Sequence, residues 1–269
     1  MTDRQFVISR GEHQRSKSWE RKFLTLTDVK QLFEIHVTRS DKDGPAFVAG
    51  AIVGEERKAV AVERMSFIVF DVDGVQELAD IESKVASTGK FAILYTTHNH
   101  KQKTDYIKTD QYSKWATKEG LPNKHTSEGV KKYLIAKGKK YYHNVKVGEK
   151  PEQTAEGVAI PISFDPIDKV RIVFPLASDF VMADSGGYTS SEHIQAWKQT
   201  YAGVGQAIGL DYDKACLDPS RLNFLPSHRS GAEFHYRLFE GPLLDYRTYA
   251  KAEIASIVTA KDVINTSSK

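Results

Sequence analysis

The chain has 269 residues with 40% hydrophobic and 27% charged content, enough apolar material for a sizeable core and ordinary for a globular protein. No apolar stretch approaches bilayer length, and the polar opening Met1-Thr2-Asp3-Arg4-Gln5 lacks a signal-peptide core, so no membrane partner and a cytoplasmic location are expected. One cysteine, Cys216, excludes an internal disulfide and a cysteine zinc cluster and is expected to be an ordinary packed residue.

In chain order, residues 1–62 form an N-terminal part with strand-like Gln5-Phe6-Val7-Ile8 and an apolar, glycine-rich segment from Ala46 to Gly54. The most informative stretch follows. Ser66-Phe67-Ile68-Val69-Phe70 reads as a buried strand, and Asp71-Val72-Asp73-Gly74 ends it with two carboxylates that period-2 geometry turns to one side. Two such carboxylates repel each other unless a hard divalent cation, Mg2+ or Mn2+, sits between them, and such a cation in turn grips phosphate oxygens. A phosphorylated substrate is therefore expected. A helix with Val75, Leu78, Ile81 and Val85 on one face is predicted next, stopping near Gly89. A second strand, Phe91-Ala92-Ile93-Leu94-Tyr95, delivers Thr96-Thr97-His98.

Residues 101–150 then hold thirteen lysines, no arginine and five acids, a local charge of +8 that leaves −5 for the rest of the chain. Lys131-Lys132-Tyr133 and Lys139-Lys140-Tyr141-Tyr142 interleave cations with rings, a mixture suited to neutralising phosphates and stacking bases, although a solvated insertion over packed tyrosines has the same composition. A third strand runs Val170-Arg171-Ile172-Val173-Phe174. Thr189-Ser190-Ser191-Glu192 has capping-box spacing and opens a helix with Ile194, Trp197, Tyr201, Val204 and Ile208 on one face, closed by Gly209. The Gly203-Val204-Gly205 run sits inside this helical pattern rather than after a strand, so it is not a dinucleotide fingerprint. Beyond lie Arg221-Leu222-Asn223-Phe224-Leu225-Pro226 and the strand-like Glu233-Phe234-His235-Tyr236-Arg237-Leu238. A C-terminal helix or tail over 246–269 ends the chain, and no internal repeat is present.

A strand ending in Asp71-Val72-Asp73, a strand ending in Thr96-Thr97-His98, and Tyr212-Asp213 followed by Arg221 and His228 together resemble the archaeo-eukaryotic primase superfamily, in particular phage and plasmid primase-polymerases. The resemblance covers roughly residues 60 to 245, with the basic insertion outside it. It implies an α/β catalytic core, a mixed RRM-like sheet with flanking helices, occupying 63–245 and carrying the lysine-rich insertion. It implies that Asp71, Asp73 and Asp213 hold two Mg2+ or Mn2+ ions and that Thr96, His98, Arg171, Arg221 and His228 bind the triphosphate. Asp211 and Asp218 compete with Asp213 for the third place. The activity implied is templated nucleotidyl transfer on single-stranded DNA from nucleoside triphosphates, in phage or plasmid replication. Lys131, Lys132, Lys139, Lys140, Tyr141 and Tyr142 are the candidates for holding the strand. No Walker loop or zinc motif is present, so a helicase, where one is needed, is expected on another chain.

The chain departs from the family pattern in placing about seventy residues between His98 and Arg171. Two alternatives remain open. Phe70-Asp71-Val72-Asp73-Gly74 is also close to the first motif of haloacid-dehalogenase-type phosphohydrolases, with Asp71 as nucleophile, although more than sixty residues precede it. A non-catalytic nucleic-acid-binding replication protein would need the basic insertion alone.

Overall fold

The computed structural model describes residues 4–74, 76–122, 125–139 and 142–253. The N-terminal part consists of β1 (Phe6–Gly11), β2 (Glu20–Leu24), α1 (Leu26–Glu34), β3 (Val37–Thr38), β4 (Ala46–Val48) and β5 (Gly50–Ile52). A capping box between Thr25 and Asp28 starts α1, which buries Val29 and Phe33. The core begins with β6 (Val62–Asp73), α2 (Leu78–Ser87) and β7 (Ala92–Thr96). The basic insertion supplies β8 (Gln102–Lys108), α3 (Thr109–Lys118), α4 (Ser127–Ala136), β9 (Lys146–Val147), β10 (Glu152–Thr154) and β11 (Gly157–Ile167). The chain returns through β12 (Lys169–Val181), α5 (Ser190–Ile208), β13 (Asn223–Phe224), β14 (Ser227–His228) and β15 (Tyr236–Phe239).

The architecture is α/β, and its central sheet has the order β15-β7-β12-β6-β5. Every pairing within it is antiparallel, where a mixed sheet is expected from the sequence. The helix α2 does return β7 parallel to β6, but β12 inserts between them and pairs antiparallel with both, so the two never meet. The parallel ladder among the described residues is the short one between β14 and β3.

The two faces of β6 have different neighbours, which explains its continuous apolar run. Phe70 packs against Tyr201 of α5 at 4.7 Å and against Tyr212 at 5.0 Å. Phe67, on the opposite face, meets Phe6 of β1 at 5.3 Å, and Phe33 of α1 stacks on Tyr95 at 5.6 Å. The N-terminal part and the central sheet therefore share one hydrophobic core.

Helix α5 begins at the Thr189/Glu192 capping box and ends at Gly209, whose φ of 76° suits the left-handed C-terminal position. Its internal glycines serve close approach. A Cβ on Gly203 would stand 1.9 Å from the Ala250 carbonyl oxygen, and one on Gly205 would stand 2.4 Å from the Tyr212 ring.

The insertion is a small module with its own core, built from Ile107, Tyr112, Val130, Tyr133, Leu134, Tyr142, Ile160 and Phe164 among others. β11 pairs antiparallel with β8, β9 and β10, so the module runs from Gln102 to Ile167 rather than ending near 150. Among the described residues no helix is long and apolar enough to cross a membrane.

Candidate active site

On the β6 face turned away from α5, register brings three side chains into one row. Arg171 of β12 stands directly opposite Asp71 of β6 on one side and Tyr95 of β7 on the other. One step along, Lys169 stands opposite Asp73. Asp71 and Arg171 form a two-pronged ion pair, with Nε donating to Oδ1 at 2.9 Å and Nη2 to Oδ2 at 2.7 Å. Arg171 Nη1 donates to the Phe224 carbonyl at 2.6 Å, and the Tyr95 hydroxyl donates to the same carbonyl at 3.2 Å. This clamp ties the segment after α5 to the carboxylate strand. Arg171, expected to bind the triphosphate, lines the cleft but is only 5% exposed and has all three guanidinium nitrogens engaged by Asp71 and the Phe224 carbonyl.

Asp213 joins the pair through the backbone, its N–H donating to the Asp71 carbonyl at 2.8 Å. Its side chain caps the turn that follows, accepting from the Ala215 N–H at 2.9 Å and from Arg221 Nη2 at 2.9 Å. The competing acids are placed differently. Asp218 accepts from the Ser220 N–H and hydroxyl, both at 2.8 Å, as a turn acid. Asp211 follows α5, its N–H donating to Gln76 Oε1.

Burial pushes the Asp73 carboxyl above its usual range; Lys169 and Arg171 pull it back, while the charges of Asp71 and Asp213 push it further up. The three aspartates thus feel one another. Among the described residues, however, no three histidine, cysteine or acidic side chains are grouped as a ready metal cage. Burial pushes the Tyr95 phenol up to about 12, against the pull of Arg171, so it stays neutral.

These rows face a cleft of about 950 Å3. Its lining carries seven cationic side chains, among them Lys169, Lys198, Lys214 and Arg221, against the three carboxylates Asp71, Asp73 and Asp218. His98 lines it as well, 7% exposed, with Nδ1 at 3.3 Å from the Ser227 hydroxyl and a buried Nε2 that has no hydrogen-bond partner among the described residues. Burial, helped by Arg229, lowers its pKa, so the imidazole is neutral at pH 7. Arg221 is half-exposed, and its Nε also lacks a partner among the described residues.

Two further expectations are corrected. Thr96 is 1% exposed and turned to the opposite face of the sheet, where its hydroxyl accepts from the His235 N–H at 2.8 Å. Alternation along the strand gives the cleft position to Thr97 instead. His228 stacks on Phe234 at 4.8 Å and stands 3.3 Å from the Thr38 hydroxyl; its neighbour Ser227 lines the cleft.

In the basic insertion, Tyr142 is buried, stacks on Phe164 at 4.0 Å and donates to Asp105 at 2.8 Å, so its ring is not available to a base. Lys139 and Lys132 are paired with Asp105 and Glu128, and Lys131 is exposed. Lys140 and Tyr141 lie outside the described residues.

Sequence reasoning missed Lys169, Lys198 and Lys214, as well as Lys42 and Arg57, which the N-terminal part contributes to the cleft. Only Lys169 had a readable signal, two residues before Arg171 and so on the same strand face. No family model, curated protein or solved structure matches this chain.

Proposed function

We propose that this chain is a nucleotidyltransferase of the primase-polymerase kind, joining nucleoside triphosphates on a single-stranded DNA template with Mg2+ or Mn2+. One observation carries the reading: Asp71 and Asp73, at one strand end and with Asp213 tied by its backbone to Asp71, face a cleft whose lining holds seven cationic side chains and one further carboxylate, Asp218. A polyphosphate with its divalent ion matches that charge pattern. Mg2+ characteristically takes one or two protein carboxylates and completes its shell with phosphate oxygens and water, so a complete protein cage is not required. Asp71, Asp73 and Asp213 would hold the ions, which when bound supply activation of the attacking hydroxyl and neutralisation of the leaving pyrophosphate. Arg171 fixes the rotamer of Asp71, His98 offers Nε2 to a phosphate oxygen, and Arg221 and the cleft lysines neutralise the triphosphate. The adjacency of β6 and β12 in the middle of the sheet, with α2 and α5 following them, supports an RRM-like core in part; β5 rather than the last strand lies beside β6, and β15 pairs with β7.

The phosphohydrolase reading needs Asp71 as a nucleophile. Both of its oxygens accept from a buried guanidinium, which lowers their nucleophilicity while leaving each a lone pair with which to hold a cation. Incubating the chain with single-stranded template, labelled nucleoside triphosphates and Mn2+ or Mg2+ separates the three readings. Templated products that disappear in the Asp71→Ala/Asp73→Ala double variant are expected. Phosphate release from small phosphoesters would favour the hydrolase, and salt-sensitive binding without turnover would favour a passive binder. Synthesis that survives the double variant would overturn the assignment.

A further inference from the structure

Beside the segment Phe224–Ser227 lies a second, smaller groove of about 240 Å3. Its floor is apolar, with Leu32 of α1, Ile35 just after that helix and Pro226, and its rim carries Arg10, Arg39 and Lys42. No carboxylate among the described residues lines it. Lys42 and Phe224 line both this groove and the cleft, so the two spaces adjoin.

The rim cations are poorly compensated. Arg10 reaches Glu12 only at 3.7 Å, and its Nε is buried without a hydrogen-bond partner among the described residues. Arg39 lays its guanidinium over Gly44, where a Cβ would stand 2.5 Å from Arg39 Cζ. Ile35 is 66% exposed beside these charges. Cations at a rim with apolar surface beneath match a strand that alternates phosphates with bases and sugars. An acidic peptide would match the charge but leave the exposed apolar floor and its position beside the cleft unused.

We infer that this groove seats the single-stranded template next to the cleft. The inference rests on the proposed function and moves the template from the lysine-rich insertion, whose Tyr133 and Tyr142 are buried, to the junction of α1 with the Phe224–Ser227 segment.

The test is fluorescence anisotropy of a labelled single-stranded oligonucleotide across a salt series, using the full chain. Each phosphate contact to a single strand contributes about 0.7 to the slope of log affinity against log salt, so Arg10→Gln/Arg39→Gln should flatten it by about 1.4. Ile35→Lys, at an exposed site, should steepen the slope by about 0.7 and carries the test by itself if the double variant fails to fold. Binding of a fluorescent nucleoside triphosphate should be unchanged in all of them. Slopes equal to wild type would overturn the inference, as would displacement of the oligonucleotide by polyglutamate at matched charge or a change of oligomeric state in the variants. Failure of every form, wild type included, to bind the triphosphate would instead count against the proposed function.

Discussion

Replacing Asp71 by alanine is expected to lower the free energy of unfolding by about 3–5 kcal/mol, the usual cost of stranding one member of a buried ion pair. Arg171 and Asp71 have side-chain exposures of only 6% and 14%, so the guanidinium left behind would keep its charge in a site water barely reaches. Its remaining partners, the Phe224 carbonyl and the Tyr95 hydroxyl, are neutral and cannot replace a carboxylate. Because the penalty comes from the orphaned charge rather than from lost attraction, the double variant Asp71→Leu/Arg171→Met should recover at least half of it while remaining inactive. Urea denaturation of wild type, single and double variants measures both. A single variant within about 0.5 kcal/mol of wild type would mean that the pair is not buried as described.

Asp73→Asn should act in the opposite direction on stability and as strongly on activity. Burial, with the charges of Asp71 and Asp213 adding to it, raises this carboxyl above its ordinary value of 3.8 despite Lys169 and Arg171. The folded chain therefore holds the proton more tightly than the unfolded chain. As pH rises from the unfolded value to the raised folded value, the unfolded chain ionises first and stability falls. Above the folded value the penalty is fully present; below 3.8 it is absent. Asparagine cannot ionise, so the variant should melt higher than wild type at pH 7, and the gap should close as the pH is lowered below 3.8. Synthesis should fall at least about 100-fold, the scale of removing one electrostatic group from an active site. Calorimetry at pH 7 and at pH 3 with a parallel primer-synthesis assay checks both halves. A variant that melts lower at pH 7, or that still synthesises, would contradict the role given to Asp73. A group that weakens the empty fold and is needed for the reaction is characteristic of a site shaped for a cation.

Much of this arrangement was legible in the residues themselves. The apolar run from Ser66 to Phe70 has to be a strand covered on both faces, and the two acids at its end have to share a side. The capping box at Thr189 and the stop at Gly209 fixed α5 at both ends. The packed alternative for the insertion had a local signal in α4: Val130, Tyr133 and Leu134 fall at i, i+3 and i+4, the spacing of a buried face, and the insertion does bury them in its own core.

What stayed hidden depends on register and on contacts between distant segments. Whether Thr96 or Thr97 faces the cleft turns on a one-residue phase at the end of β7, which composition does not set. That Arg171 would meet Asp71 follows only from the pairing of strands a hundred positions apart, with the whole insertion between them. Lys42 and Arg57 reach the cleft because the N-terminal part shares the core of the central sheet, and nothing local to either residue announces it.

The central claim is that Asp71, Asp73 and Asp213 together hold a divalent cation beside a triphosphate in the cationic cleft. The direct measurement is an electron paramagnetic resonance titration of Mn2+ into the chain with a non-reactive nucleoside triphosphate analogue. Wild type should be compared with Asp73→Asn, which keeps the shape of the side chain, removes its charge and leaves the Asp71–Arg171 pair intact. Protein-bound Mn2+ in wild type that is lost in the variant is the predicted result. Equal Mn2+ binding by both forms would contradict it.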